Sequence, residues 1–213
     1  VPDLPRVVII GAGGHAKVVI EALRAAGFPP PLGCVDPNPP APAVLGLPVL
    51  GGDDMMERLR ADGAAAAVVA LGANGVRLRL GNRLSALGYA LPPVLHPAAQ
   101  CSPSAMVAEG VVIMAQASLG PECRIGRLAI VNTNAVVEHD CILGEAAHVA
   151  PGCALAGQVT LGDRALLGVG SAVRPGITIG ADAVVGAGSA VVRDVPAGAR
   201  VGGAPARPLR SQG

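Results

Sequence analysis

Residues 105–194 read AMVAEG VVIMAQ ASLGPE CRIGRL AIVNTN AVVEHD CILGEA AHVAPG CALAGQ VTLGDR ALLGVG SAVRPG ITIGAD AVVGAG SAVVRD. Cut into these fifteen blocks of six, the third residue is Val, Ile or Leu in every block, without one insertion. The first residue is Ala, Cys or Ser, or at largest Val or Ile. A short fixed period marks a repeat fold in which each unit buries its apolar side only by stacking on the next. Side chains alternate along a strand, so residues one and three of a block point inward and residue two outward. Residues four to six turn a corner, and Gly at residue four in seven blocks fits a turn that needs permissive dihedrals. Three blocks close a triangular coil. Five such coils, stacked as parallel strands about 4.8 Å apart, make a prism about 24 Å long.

The outward residues sort into three stacks. Met106, Arg124, Ile142, Thr160 and Thr178 form the first, and Ser118, Val136, Ala154, Ala172 and Ala190 the third. The second holds Val112, Ile130, His148, Leu166 and Val184, of which only His148 is polar. An exposed apolar stripe of that size predicts an interface, here with a neighbouring subunit.

Composition narrows the function. There is no Trp, one Tyr and one Phe, so the core is aliphatic, which suits narrow repetitive packing. Net charge is +1 and no basic run appears, which argues against a nucleic-acid partner, for which a positive stripe and stacking aromatics are expected. No apolar run reaches membrane-spanning length, and VPDLPR lacks the layout of a signal peptide. Five cysteines without zinc-like spacing read as free thiols in a reducing compartment, with no metal site. A cytoplasmic protein is expected.

The front of the chain reads as βαβ units. RVVII (6–10) is a buried strand that runs into GAGGHAKVVIEALRAAG, a Gly-rich turn and an amphipathic helix. LGCVD (32–36) is a second strand ending at Asp36, a helix follows around 53–62, AAAAVVALG (64–72) is a further strand, and a helix spans 74–88. PNPPAPAVLGLP (37–48) is read as a flexible loop. This predicts a half-sized Rossmann-like α/β domain over residues 1–92, an all-β parallel β-helix over 93–195 and a C-terminal tail over 196–213. The glycines would let an anionic pyrophosphate approach backbone N–H groups at a helix N-terminus. GAGGHA is not the full dinucleotide fingerprint and the domain is too short for both halves of a dinucleotide fold, so a nucleotide-sugar is expected and not NAD.

A GAGGHA front domain followed by VVEHDCILGEAAHVAPG and the tail VGGAPARPL resembles the hexapeptide-repeat, left-handed β-helix sugar acetyltransferases. The resemblance is to the bacillosamine and perosamine N-acetyltransferase branch, with the sialic acid O-acetyltransferases as sister, and it spans nearly the whole chain. It implies acetyl-CoA as co-substrate, a nucleotide-linked amino sugar as acceptor and a homotrimer. The AVVEHDC match implies His139 as general base with Asp140 as its partner. The second histidine of the family falls on His148, which implies contact with the acetyl-CoA thioester region. Backbone contacts to acetyl-CoA are implied near Gly157, Val169 and Ala187, and nucleotide-sugar contacts by Gly13, Gly14, His15 and Asp36.

The residues carry their own chemical argument. No Ser-His-Asp set or reactive-thiol motif is evident, so direct attack of an amine on a thioester is simpler than an acyl-enzyme route. Histidine titrates near neutrality and suits the base role. At a corner the alternation rule relaxes, so Asp140 can hold the His139 ring, with Glu138 as competing partner. A sugar O-acetyltransferase and a non-catalytic repeat scaffold are the alternatives, and the acid-flanked histidine argues against the scaffold. His139 and His148 are nine residues apart, half a coil, and therefore on different sides of the prism. If both serve one site, they come from two subunits.

Overall fold

The computed structural model describes residues 4–209, and the chain parts into two compact units, the first ending at Pro97 and the second starting at Ala98.

In the front unit the apolar run of the first strand, β1 (Val7–Ile10), is wholly buried. It pairs in parallel with β2 (Cys34–Val35) on one side. On the other it pairs with the strand that precedes the last helix, Ala66–Val69. Between them come β3 (Ala43–Val44), β4 (Leu47–Gly51) and α2 (Met55–Ala61), which makes Ala66–Val69 β5. The sheet order is β3-β4-β2-β1-β5. Helix α1 (Gly14–Ala25) follows β1 and buries Ala16, Val19, Ile20, Ala22 and Leu23, one stripe at helical spacing. Helix α3 (Asn74–Ala86) closes the unit. The order reverses direction at β1, which leaves a crevice beyond the carboxyl ends of β1 and β5, the usual place for a ligand in an open α/β sheet.

Segment 37–48 is not a loop throughout. Ala43–Val44 and Leu47–Gly51 form an antiparallel hairpin. Leu45 and Gly46 sit at φ 48° and 83°, the paired positive values that a two-residue hairpin turn needs. Four prolines precede the hairpin, and a fifth, Pro48, sits within its second strand opposite Ala43, where it has no N–H to give.

The second unit is the expected β-helix. Two-residue strands recur every six residues from Gln100–Cys101 to Ala190–Val191, and each pairs in parallel with the strand one coil on, as in Ser118↔Val136 and Ile130↔His148. The six-residue spacing of strands is thus already established ahead of Ala105. The coil also continues past 195, since Arg200–Gly202 pairs with Val184–Val185 and then with Arg207–Pro208. The segment read as a tail is thus part of this unit as far as Leu209, and residues 210–213 lie outside the described residues. Residues one and three of the blocks are buried almost without exception.

Two details of the repeat differ from the sequence reading. The permissive dihedral falls at residue six and not at residue four. From Gly110 to Gly188 every sixth residue has φ between 52° and 72°, including Gln116, Leu128, Asn134 and Asp140. From Gln116 on, all but one of these corners are held by a backbone bond to the coil before, as in Asn134 N–H to Ala115 C=O, 3.0 Å, the exception being Glu122 N–H, which donates to Ser104 Oγ at 3.1 Å. Glycine at residue four serves close packing instead. A Cβ on Gly126, Gly144, Gly162 or Gly180 would lie 2.4–2.7 Å from atoms of the next coil. The apolar stripe also differs. Val112 and Ile130 are already 1% and 0% exposed in the single chain, so only His148, Leu166 and Val184 of that stack are left partly open.

Candidate active site

His139 and Asp140 are residues five and six of their block and sit at the corner between the third and first faces of the prism. Asp140 adopts φ 59°, a conformation that aspartate tolerates better than most residues. This turns its carboxylate back onto the neighbouring ring. His139 Nδ1 donates to Asp140 Oδ2 at 2.8 Å, with about half of each side chain exposed. A carboxylate can only accept, so the bond fixes the proton on Nδ1 and leaves the Nε2 lone pair free to take one. Asp140, and not Glu138, is the acid hydrogen-bonded to the ring. An ion pair this exposed adds little stability, so its effect is on ring orientation and tautomer.

Gly157 lies one coil further on at the same corner. A Cβ there would stand 2.4 Å from His139 Cε1 and Nε2. The backbone between them is tied by Gln158 N–H to His139 C=O, 2.9 Å. The carbonyls of this corner are held from inside by thiols. Cys123 donates to Glu138 C=O at 2.9 Å and Cys141 to Ala156 C=O at 3.2 Å. All five cysteines are free, and burial raises the Cys141 pKa to about 11, which suits packing and not nucleophilic chemistry.

His148 stands on the second face, away from the His139 corner. Asn132 Oδ1 accepts Thr133 N–H at 2.8 Å, which aims its amide nitrogen at His148 Nε2, 3.3 Å away. An amide nitrogen can only donate, so Nε2 accepts and the His148 proton is on Nδ1. Val169 and Ala187 stack at the corner between the second and third faces. The single chain thus brings His139, Asp140 and Gly157 together and leaves His148, Val169 and Ala187 elsewhere on the prism.

In the front unit, Gly13 caps α1 and Gly14 begins it, and a Cβ on either would meet nothing within 4 Å. The open helix N-terminus is therefore free to take an anion. Asp36 Oδ2 accepts Ala12 N–H at 2.8 Å and Oδ1 accepts Asn38 N–H at 2.9 Å, so Asp36 first of all shapes the Gly-rich turn. Gly11 is the glycine that the close crossing demands, at φ 111° with Ala70 C=O only 2.9 Å from a Cβ. Burial, and then the charge of Arg77, lower the His15 pKa to about 4, so His15 is neutral at pH 7. Arg77 was not foreseen. It is 1% exposed and donates to Leu71 C=O at 2.9 Å, Gly72 C=O at 3.1 Å and Asn74 Oδ1 at 2.8 Å. Its place in NGVRLRLGNRL reads as an ordinary helix surface cation, so periodicity gave no signal. A cavity of about 210 Å³ opens at the crevice, lined by Gly11, Asp36, Asp53, Leu71 and Arg79 among others.

Comparisons with known proteins bear on both units. The family described as the PglD N-terminal domain matches residues 6–84, and the hexapeptide repeat of succinyl-transferase matches residues 158–193. The chain is 50% identical to PerB from Caulobacter crescentus, whose crystal structure holds CoA and GDP-perosamine. The match covers 96% of this chain and 97% of that one, at TM-score 0.92. The chain belongs to the hexapeptide-repeat sugar N-acetyltransferase family. A second member of that family, the acetyltransferase domain of PglB from Neisseria gonorrhoeae in complex with acetyl coenzyme A, is 36% identical at TM-score 0.92, covering 97% of this chain and 100% of that one. WeeI from Acinetobacter baumannii is 25% identical over 96% and 99% of the two chains, at TM-score 0.84. No curated protein sequence gives a significant match. Among the described residues no group of three or more His, Cys, Asp or Glu could hold a metal ion, and no helix is long and apolar enough to cross a membrane.

Proposed function

We propose that the protein is an acetyl-CoA-dependent N-acetyltransferase acting on the 4-amino group of a GDP-linked 4-amino-4,6-dideoxy sugar of the perosamine type. The observation that carries the proposal is the His139–Asp140 pair at an exposed corner, 2.8 Å apart. It occurs in a chain 50% identical to an enzyme crystallised with CoA and GDP-perosamine. Histidine-to-asparagine and histidine-to-alanine variants of that enzyme have also been crystallised with both ligands.

The chemistry is a direct transfer. The sugar amine attacks the thioester carbonyl carbon, the N–C bond forms, and the C–S bond breaks to release CoA thiolate. His139 Nε2 takes the proton that the amine loses, and that proton then neutralises the thiolate. Asp140 holds the tautomer with Nε2 free and stabilises the imidazolium that forms. Gly13, Gly14, His15 and Asp36 shape the cradle for the nucleotide, with the diphosphate at the N-terminus of α1. Gly157, Val169 and Ala187 offer backbone groups to the CoA.

His139 and His148 are half a coil apart, so one site that uses both is built between two chains, and a homotrimer closes three such sites. The protein works in the cytoplasm, consistent with five free thiols.

The test is thiol release from acetyl-CoA with GDP-perosamine, UDP- and dTDP-linked 4-amino sugars, and sialic acid as acceptors. Turnover with an amino sugar supports the proposal, and turnover confined to hydroxyl acceptors overturns it. Mixing His139→Ala chains with His148→Ala chains should restore part of the activity. Sedimentation at micromolar concentration should show three chains, and a monomer would refute the assembly.

A further inference from the structure

We infer that Gly157 is a positioning residue for His139, its missing side chain being the seat of the imidazole. The inference rests on the proposed role of His139 and deepens it.

Gly157 is residue five of its block. Across the fifteen blocks that position carries side chains of every kind, Pro121, Arg127, Thr133, Pro151 and Val169 among them, and glycine occurs there once. The backbone does not require it, because the positive dihedrals of this helix fall at residue six and the φ of Gly157 lies outside the left-handed region. The packing between coils does not require it either. At residue-four glycines such as Gly126 and Gly162 an added Cβ would strike backbone of the next coil. At Gly157 the three nearest atoms are all in one side chain, His139 Cε1 and Nε2 at 2.4 Å and Nδ1 at 3.0 Å.

The single exception thus stands one coil from the one histidine of a corner, and the ring lies over its Cα. Ring and glycine are held in register by Gln158 N–H to His139 C=O at 2.9 Å. The ring is gripped at Nδ1 by Asp140 at 2.8 Å and rests on Gly157 below, which together set where Nε2 points.

A methyl group at 157 would have to stand in ordinary contact, no closer than about 3.4 Å, so the ring would move by about 1 Å. A displacement of that size at a reacting group costs on the order of 10²-fold in rate. The backbone N–H and C=O of residue 157 survive the change, so a role in holding CoA through backbone groups would be untouched.

The experiment is a double-mutant cycle on the full chain, with GDP-perosamine and acetyl-CoA as substrates. Gly157→Ala is expected to lower kcat about 10²-fold and to leave both KM values within about twofold. In the His139→Ala background the same change should alter kcat by less than about twofold, because no ring remains to be displaced. Melting temperature should follow the same pattern, falling with the histidine present and not without it. Wild-type turnover in Gly157→Ala, or an equal further loss in the His139→Ala background, would overturn the inference. If Gly157→Ala does not fold, folding of the double variant supports the inference and failure of both overturns it. Full turnover in His139→Ala alone would instead overturn the functional reading, so the two failures are separable.

Discussion

His15 makes the front unit sensitive to acid, and the size of the effect can be worked out. Its pKa is lowered from 6.5 to about 4, by burial first and then by Arg77. Above pH 6.5 the ring is neutral folded or unfolded, and it contributes no pH dependence. Between pH 6.5 and about 4 the unfolded chain binds a proton there that the folded chain does not. Stability then falls by about 1.4 kcal/mol for each pH unit lowered. Across the window the loss is about 3 kcal/mol, and below the folded pKa it stops growing. The perturbation is His15→Gln, which removes the titration and keeps a polar side chain. The assay is urea unfolding at pH 7.0 and pH 4.5, followed by tyrosine fluorescence. The chain has one Tyr and no Trp. Tyr89 is buried in the front unit with its hydroxyl on Met56 C=O at 2.8 Å, so the signal reports that unit alone. Wild type should lose about 2–3 kcal/mol more than His15→Gln between the two pH values. Equal losses would refute the reasoning and place His15 in water.

Gly144→Ala puts a methyl 2.5 Å from Asp163 N, and overpacking of that kind should destabilise the β-helix by about 1–3 kcal/mol, read by thermal melting. Asp140→Asn should keep the fold and lower kcat by about 10²-fold, at the low end of the general-base range, since the amide carries no charge to stabilise the imidazolium and can turn its NH2 to Nδ1, which favours the wrong tautomer of His139. A thiol reagent at pH 8 should modify Cys101, the one cysteine not buried, and reach all five only after denaturation. Early reaction of Cys141, whose pKa is raised to about 11, would contradict the packing described.

Much of the fold was legible because the β-helix writes its period into every block. The buried residue three is a direct consequence of alternation along a strand, and so is the small residue one. The corner was less legible. Glycine is conspicuous at residue four, yet it is there for the close approach of coils, and the left-handed position at residue six is filled by Gln116, Leu128 and Ala146 as well as by glycine. The backbone bonds between coils override the local preference of those residues. The hairpin at Ala43–Gly51 was hidden by the prolines before it. At the site, His139 stood out between two acids, but alternation could not choose between Glu138 and Asp140 at a turn, and only the dihedral of Asp140 decides. Gly157 was read for its backbone, while its steric relation to His139 depends on which atoms meet across a coil. Arg77 carried no signal, because a buried cation on a helix has the same letter as an exposed one.

The measurement that bears most directly on the account is kcat for His139→Ala, by release of CoA from acetyl-CoA with GDP-perosamine as acceptor. The account predicts a folded protein whose turnover falls by at least about 10²-fold. Unchanged turnover in that variant would contradict it.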